Sequence, residues 1–226
     1  MMEPPTIRLA LQIAGQGRLE GHPPGNVDGA RFEGRFVIYS MMGPKGQLFG
    51  EDVSLFDAEC VARYGRGPQS AHFVAVRSGF ALEGFTTGDA SMEGHTIGRS
   101  SARTRLRIYY DAKPDGSRRF GERGSFLAGT LVATYQAEEF FQIDPRAGVF
   151  DTRVSYTILE SAPFTHAGET VDFARIAPQL AELSHGHNPE PDPEPEPIPA
   201  EEPFTDRGPG VFAERFVVGG AILAAG

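Results

Sequence analysis

The stretch FLAGTLVATYQAEEFFQIDPRAGVFDTRVSYTIL, residues 126–159, is two alternating runs joined by a turn. In the second run Phe150, Thr152, Val154, Tyr156 and Ile158 share one side, opposite Asp151, Arg153, Ser155 and Thr157. Successive side chains on a strand point to opposite faces, so this alternation marks a strand with one dry face and one wet face. In the first run Leu131, Ala133, Tyr135, Glu139 and Phe141 form the more apolar side. Between the runs, DPRAG reads as a type I turn closed by a left-handed Gly148, which joins them as an antiparallel hairpin.

The same period recurs upstream. Ile7, Leu9, Leu11 and Ile13 oppose Arg8 and Gln12. Phe32, Phe36 and Ile38 oppose Arg31, Glu33 and Arg35. Ala102, Thr104, Leu106, Ile108 and Tyr110 oppose Arg103, Arg105, Arg107 and Tyr109. Half-wet strands belong to antiparallel sheets, because parallel strands are buried on both faces. Turn residues agree: MGPKGQ and DAKPDGS set Pro and Gly between apolar runs. The 28 Gly and 18 Pro also favour many turns. The expected fold is mainly β: an antiparallel β-barrel of about eight strands over residues 1–168, the closed answer to exposed strand edges. Beyond it, Val171, Ile176, Leu180 and Leu183 stand near helical spacing, which predicts a short helical segment over 169–188.

The layout of the 126–159 hairpin resembles the terminal hairpin of allene-oxide-cyclase-type barrels, a calycin-like group. Of that group's Gly-Gly-x-Gly-x-Phe turn, DPRAGVF keeps Gly148 and Phe150. The resemblance implies a barrel that binds or cyclises a small apolar molecule in its interior.

Charge is distributed unevenly along the chain. The net charge is −9. Residues 1–168 carry 19 acidic and 18 basic side chains, and residues 169–226 carry 11 and 3. A near-neutral body with an acidic end has no basic footprint for nucleic acid, which argues against that partner. No apolar run approaches the roughly 18 residues of a membrane-spanning helix. The N-terminal residues lack the basic region of a signal peptide, and the single cysteine, Cys60, fits a reducing compartment. These features predict a cytoplasmic protein.

Several residues are candidates for chemistry. Glu139 lies on the apolar side of its strand, where a buried carboxyl has a raised pKa and can act as a general acid or base. His72 alternates with Val74 and Val76, which predicts an inward imidazole suited to proton transfer. Tyr110, Tyr156, Tyr135 and Phe150 fall on the inward sides; they are expected to contact a ligand, the tyrosines by hydroxyl donation to a polar group. Cys60 reads as a small core residue. The arginines of RSSARTRLR form a ladder on an outer face, read as a solvated surface. His185 and His187 lack supporting ligands for a metal. Neither a metal nor a cofactor is expected, since Gly-x-Gly-x-x-Gly, Walker, Gly-x-Ser-x-Gly and His-Glu-x-x-His patterns do not occur.

PEPDPEPEPIPAEEP, residues 189–203, alternates proline with acids and favours extended polyproline II with a reach of about 45 Å. Beyond it, residues 204–226 form an apolar tail containing Phe212, Val217, Val218, Ile222 and Leu223. Such a tail in water needs a surface to cover it. It either docks on a protein partner or a second copy, or folds back on its own barrel; the linker's reach favours the former. Three functions are therefore expected. The first is a ligand-handling barrel acting as a cyclase or isomerase through shape and acid–base assistance. The second is a carrier without chemistry. The third is a structural or cargo protein held through its tail.

Overall fold

The computed structural model describes residues 7–22, 31–86, 96–100, 104–144, 149–187 and 212–225. Their strands close into an eight-stranded antiparallel β-barrel. Going round it are β1 (Ile7–His22), β2 (Arg31–Gly43), β4 (Phe73–Thr86), β5 (Thr96–Ser100) with β6 (Arg105–Tyr110), β7 (Thr130–Asp144), β8 (Val149–Ser161), β11 (Gln179–His187) and β12 (Phe212–Ala225). β5 and β6 share one position: both pair with β4 and β7, β5 along one half and β6 along the other. β3 (Gly46–Gln47) pairs antiparallel with the end of β2.

The period-2 readings hold on the inner face. Leu9, Leu11, Ile13, Phe36, Ile38, Leu106, Ile108, Tyr135, Val154 and Tyr156 are all buried in one cluster. Register shifts on β1–β2, β2–β4 and β6–β7 bend long strands around the barrel, as bulges do. Glycine makes room for rings inside: a Cβ on Gly34 would stand 2.3 Å from the Phe36 ring, and one on Gly186 2.2 Å from the Phe150 ring.

One end of the barrel is capped. The segment holding α1 (Ala58–Tyr64), the turn holding α2 (Arg123–Phe126), the hairpin β9 (Phe164–His166) with β10 (Glu169–Val171), and α3 (Phe173–Ile176) all cluster there. α1 begins at Asp57, whose carboxylate accepts from the Cys60 amide, and buried Cys60 donates its thiol to the Pro114 carbonyl at 3.3 Å. A second cluster, with Val37, Val74, Val76, Tyr109 and Phe126, lies on the outer wall beneath these segments. Buried Arg118 binds it together by donating to the carbonyls of Pro68 and Ala71 and pairing with Asp111. All four hairpin connections at the opposite end, 23–30, 87–95, 145–148 and 188–211, fall outside the described residues.

Three expectations change. Residues 179–187 form a strand where a helix was expected. Leu180, Glu182, Ser184 and Gly186 point inward and Leu183 is 63 % exposed, so two polar inward residues hid the alternation. The tail does not project: residues 212–225 insert between β1 and β11, antiparallel to both. It therefore takes the second of its two options, and it buries Val218, Ile222 and Ala224. The barrel consequently does not close within residues 1–168. Without β11 and β12 two edges would carry unpaired backbone groups, which closure alone removes. The 189–203 linker lies outside the described residues.

Candidate functional site

Halfway up the barrel, four polar side chains from four strands meet among apolar neighbours. Arg77 comes from β4, Glu139 from β7, Tyr156 from β8 and Glu182 from β11. Arg77 is fully buried, and Glu139 and Glu182 are 4 % and 2 % exposed. Register explains the meeting: Glu139 and Glu182 both stand beside Val154, one on either side. Arg77 reaches them from a position opposite Gly34, and its guanidinium lies between the rings of Phe32 and Phe36, 5.5 and 5.6 Å from their centroids. Such stacking suits a guanidinium, which is more weakly hydrated than an ammonium.

The contacts within the cluster are unequal. Arg77 Nη1 donates to Glu182 Oε1 at 3.0 Å and to Tyr156 Oη at 3.2 Å, and Tyr156 in turn donates to Glu182 Oε2. Arg77 Nη2 lies 3.3 Å from Glu139 Oε1, an ion pair set off the line of a hydrogen bond. Glu139 Oε2 and Arg77 Nε have no hydrogen-bond partner. Burial works against the charge on Arg77, but the carboxylates of Glu139 and Glu182 outweigh it and hold the guanidinium protonated. Burial raises the pKa of Glu139, opposed by Arg77 and reinforced by Glu182. Burial, followed by the neighbouring Glu182, pushes the Tyr156 hydroxyl far up, so it stays a donor. One cation faces two carboxyl groups, and burial favours the protonated form of Glu139.

Towards the loop end, Phe32 and Phe150 meet edge to face at 5.8 Å, with Phe141 also buried. Thr152 and Ser184 share a hydrogen bond of 2.6 Å beside them. Towards the capped end, the Tyr135 ring packs on Tyr156 at 6.3 Å and its hydroxyl donates to the Ala177 carbonyl. The structure thus gathers Glu139, Tyr156 and Tyr135, with Phe150 on the loop side.

His72 and Tyr110 are elsewhere. Val74 and Val76 belong to the outer wall, so the strand carries Phe73, Ala75 and Arg77 inward and His72 falls at the capped end. There His72 Nδ1 meets the Asp111 carbonyl at 2.8 Å, and its ring lies 5.1 Å from that of His166. Tyr110 packs between Phe73 and Phe164 and reaches His166 Nδ1 at 3.3 Å. His166 Nε2 reaches the Ser54 carbonyl at 3.3 Å. A carbonyl only accepts, so Nε2 carries the hydrogen and Tyr110 donates to Nδ1. Burial, then the proximity of His72, lowers the pKa of His166. This end is an aromatic plug, not an extension of the Glu139 cluster. A cavity of about 240 Å³ opens beside it, lined by Tyr39, Phe49, Glu51, Asp52, Phe56 and Arg66 among others, none from the sequence-derived set.

Sequence reasoning missed Arg77 and Glu182. Arg77 was legible in FVAVRSGF, where it alternates with Phe73 and Ala75, once the β4 face is assigned correctly. Glu182 was hidden by the helical reading of its strand. On the surface, Arg105 and Arg107 face Gln136, Thr134 and Ser78 across the sheet, without directly opposed acids. His185 pairs with Asp151 at 2.9 Å on an exposed face, and no group of three metal-ligating side chains occurs among the described residues. No described helix is long and apolar enough to cross a membrane. Comparison with known proteins returns no match to any family model, curated protein or solved structure.

Proposed function

We propose that this barrel holds a small, mainly apolar molecule in its loop-side half, anchored at the Arg77–Glu139 pair. One observation carries the reading: three buried polar atoms, Glu139 Oε2 and the Nε and Nη2 of Arg77, have no hydrogen-bond partner on the inner face of a barrel lined mainly with apolar side chains. Buried polar groups are nearly always paired, because an unpaired one costs about 1–3 kcal/mol. A ligand group is a partner that offsets that cost. Phe32, Phe141 and Phe150 supply the apolar wall above the anchor, in the manner of small-molecule sites with a few convergent polar groups.

The same set has acid–base capacity. A carboxyl whose protonated form burial favours can donate that proton to a developing oxyanion, and Arg77 steadies the carboxylate left behind. Isomerisation or ring closure of a carbonyl compound is the chemistry that fits, in line with the resemblance of the 126–159 hairpin. If the ligand is returned unchanged, the barrel is a carrier.

Native mass spectrometry of the full chain, purified gently from its source, tests the reading. A mass excess of a few hundred daltons that organic solvent removes supports it. The bare chain mass, together with no enhancement of a neutral apolar dye such as Nile red, overturns it. Incubating the recovered ligand with apo-protein then separates isomerase from carrier.

A further inference from the structure

The cluster also limits what kind of molecule the anchor accepts. Barrels that bind anions need a buried cation free to meet them, and here the buried cation is already committed. Arg77 is held by Glu182 at 3.0 Å and by Glu139 at 3.3 Å, with Tyr156 closing the Glu182 side. An incoming carboxylate would add a further anion around a guanidinium already paired with Glu182, in a site with almost no water exposure. Burying a charge without its own partner is severely penalised. An ammonium is disfavoured for a different reason: it only donates, and it would lie beside Arg77, a like charge.

The unpaired atoms point the same way. In the protonated form that burial favours, Glu139 Oε2 is a hydroxyl donor, and Arg77 Nε is a donor in any state. Both orphaned groups need an acceptor, and neither offers one. Resting on the ligand-binding reading above, we propose that the barrel selects uncharged molecules whose polar end is a hydrogen-bond-accepting oxygen, a ketone or aldehyde above all, and rejects carboxylates and amines of the same chain length. Glu139 is then the specificity-determining residue, and Glu182 and Tyr156 act through Arg77 to position it.

The test is displacement of Nile red from the full chain at pH 7 by four ten-carbon compounds: decane, 2-decanone, decanoate and decylamine. The ketone is expected to displace the dye at about one-tenth the concentration needed for decane, the worth of one hydrogen bond. Decanoate and decylamine are expected to be weaker than the ketone by at least the same factor. Glu139→Leu, which removes the donor, is expected to bring the ketone to within about threefold of decane. Glu139→Gln keeps an N–H donor in the same shape and retains the ketone preference, which separates lost recognition from lost folding. Displacement by decanoate or decylamine at lower concentration than the ketone overturns the selectivity while leaving the ligand-binding reading in place. Failure of Nile red and of all four compounds to bind overturns both.

Discussion

Two polar centres occupy this barrel, and they solve burial differently. At the capped end the rings of His72, Tyr110 and His166 gather with those of Phe49, Phe73 and Phe164, and His166 engages the Ser54 carbonyl and the Tyr110 hydroxyl through its two nitrogens. Halfway up, Arg77, Glu139, Glu182 and Tyr156 are mostly ionic and incompletely matched, with orphaned atoms on the two residues proposed as the anchor. Both centres contain residues that the sequence marks as reactive. Satisfied hydrogen bonds make the first a piece of packing, and unsatisfied ones make the second a candidate site.

Breaking the ionic centre is expected to have the largest effect. Arg77→Met leaves two buried carboxyl groups without their cation, and unfolding in urea near pH 7 should show a loss of about 3–5 kcal/mol. Acid should recover part of that loss, since protonation removes the stranded charges. A loss below 1 kcal/mol would mean that the two centres are energetically alike. Next comes Tyr156→Phe, which removes a hydrogen bond to a carboxylate and should cost about 1.5–3 kcal/mol with the far-ultraviolet spectrum unchanged.

The third prediction concerns pH. Burial raises the Glu139 pKa above its ordinary 4.5, so the folded state holds that proton more tightly than the unfolded chain. Its contribution is therefore complete at acid pH and is lost as pH rises from about 4.5 through the folded pKa. Glu139→Gln should match the parent chain near pH 4.5 and become progressively more stable than it at higher pH. Parallel urea midpoints across pH 5–9 would contradict a raised Glu139 pKa.

The smallest effect belongs to the capped end and has the opposite sign. His166 is held below its ordinary 6.5, so the unfolded chain takes up a proton first and folded stability falls as pH drops below about 6.5. His166→Gln should flatten that acid limb while leaving the neutral and alkaline limbs unchanged. A thermal-denaturation series over pH 5–7 reads it directly.

How much of this was legible depended on what each residue reports locally. Glu139 was found because it interrupts an apolar strand face, and Tyr135 and Tyr156 because they continue one. His72 was misplaced because a strand covered on both sides has two apolar faces: Val74 and Val76 are as buried as Phe73 and Ala75. Alternation then no longer tells inside from outside. Arg77 was lost to the same ambiguity, since an arginine reads as a solvent marker until its partners are known.

The sequence by itself determined the antiparallel barrel class, the dry faces of β1, β2, β6 and β8, and the hairpin between β7 and β8, because side-chain period and turn chemistry are local properties. Tertiary structure decided which strands complete the circle. β11 looked helical because Glu182 and Ser184 occupy its inward face, and the apolar tail looked like a docking peptide because its partners, β1 and β11, include a strand some 200 residues earlier in the chain. It also decided the site. One guanidinium and two carboxyl groups from residues 77, 139 and 182 acquire meaning only in the register that sets them side by side, and no local pattern encodes contacts across so many strands.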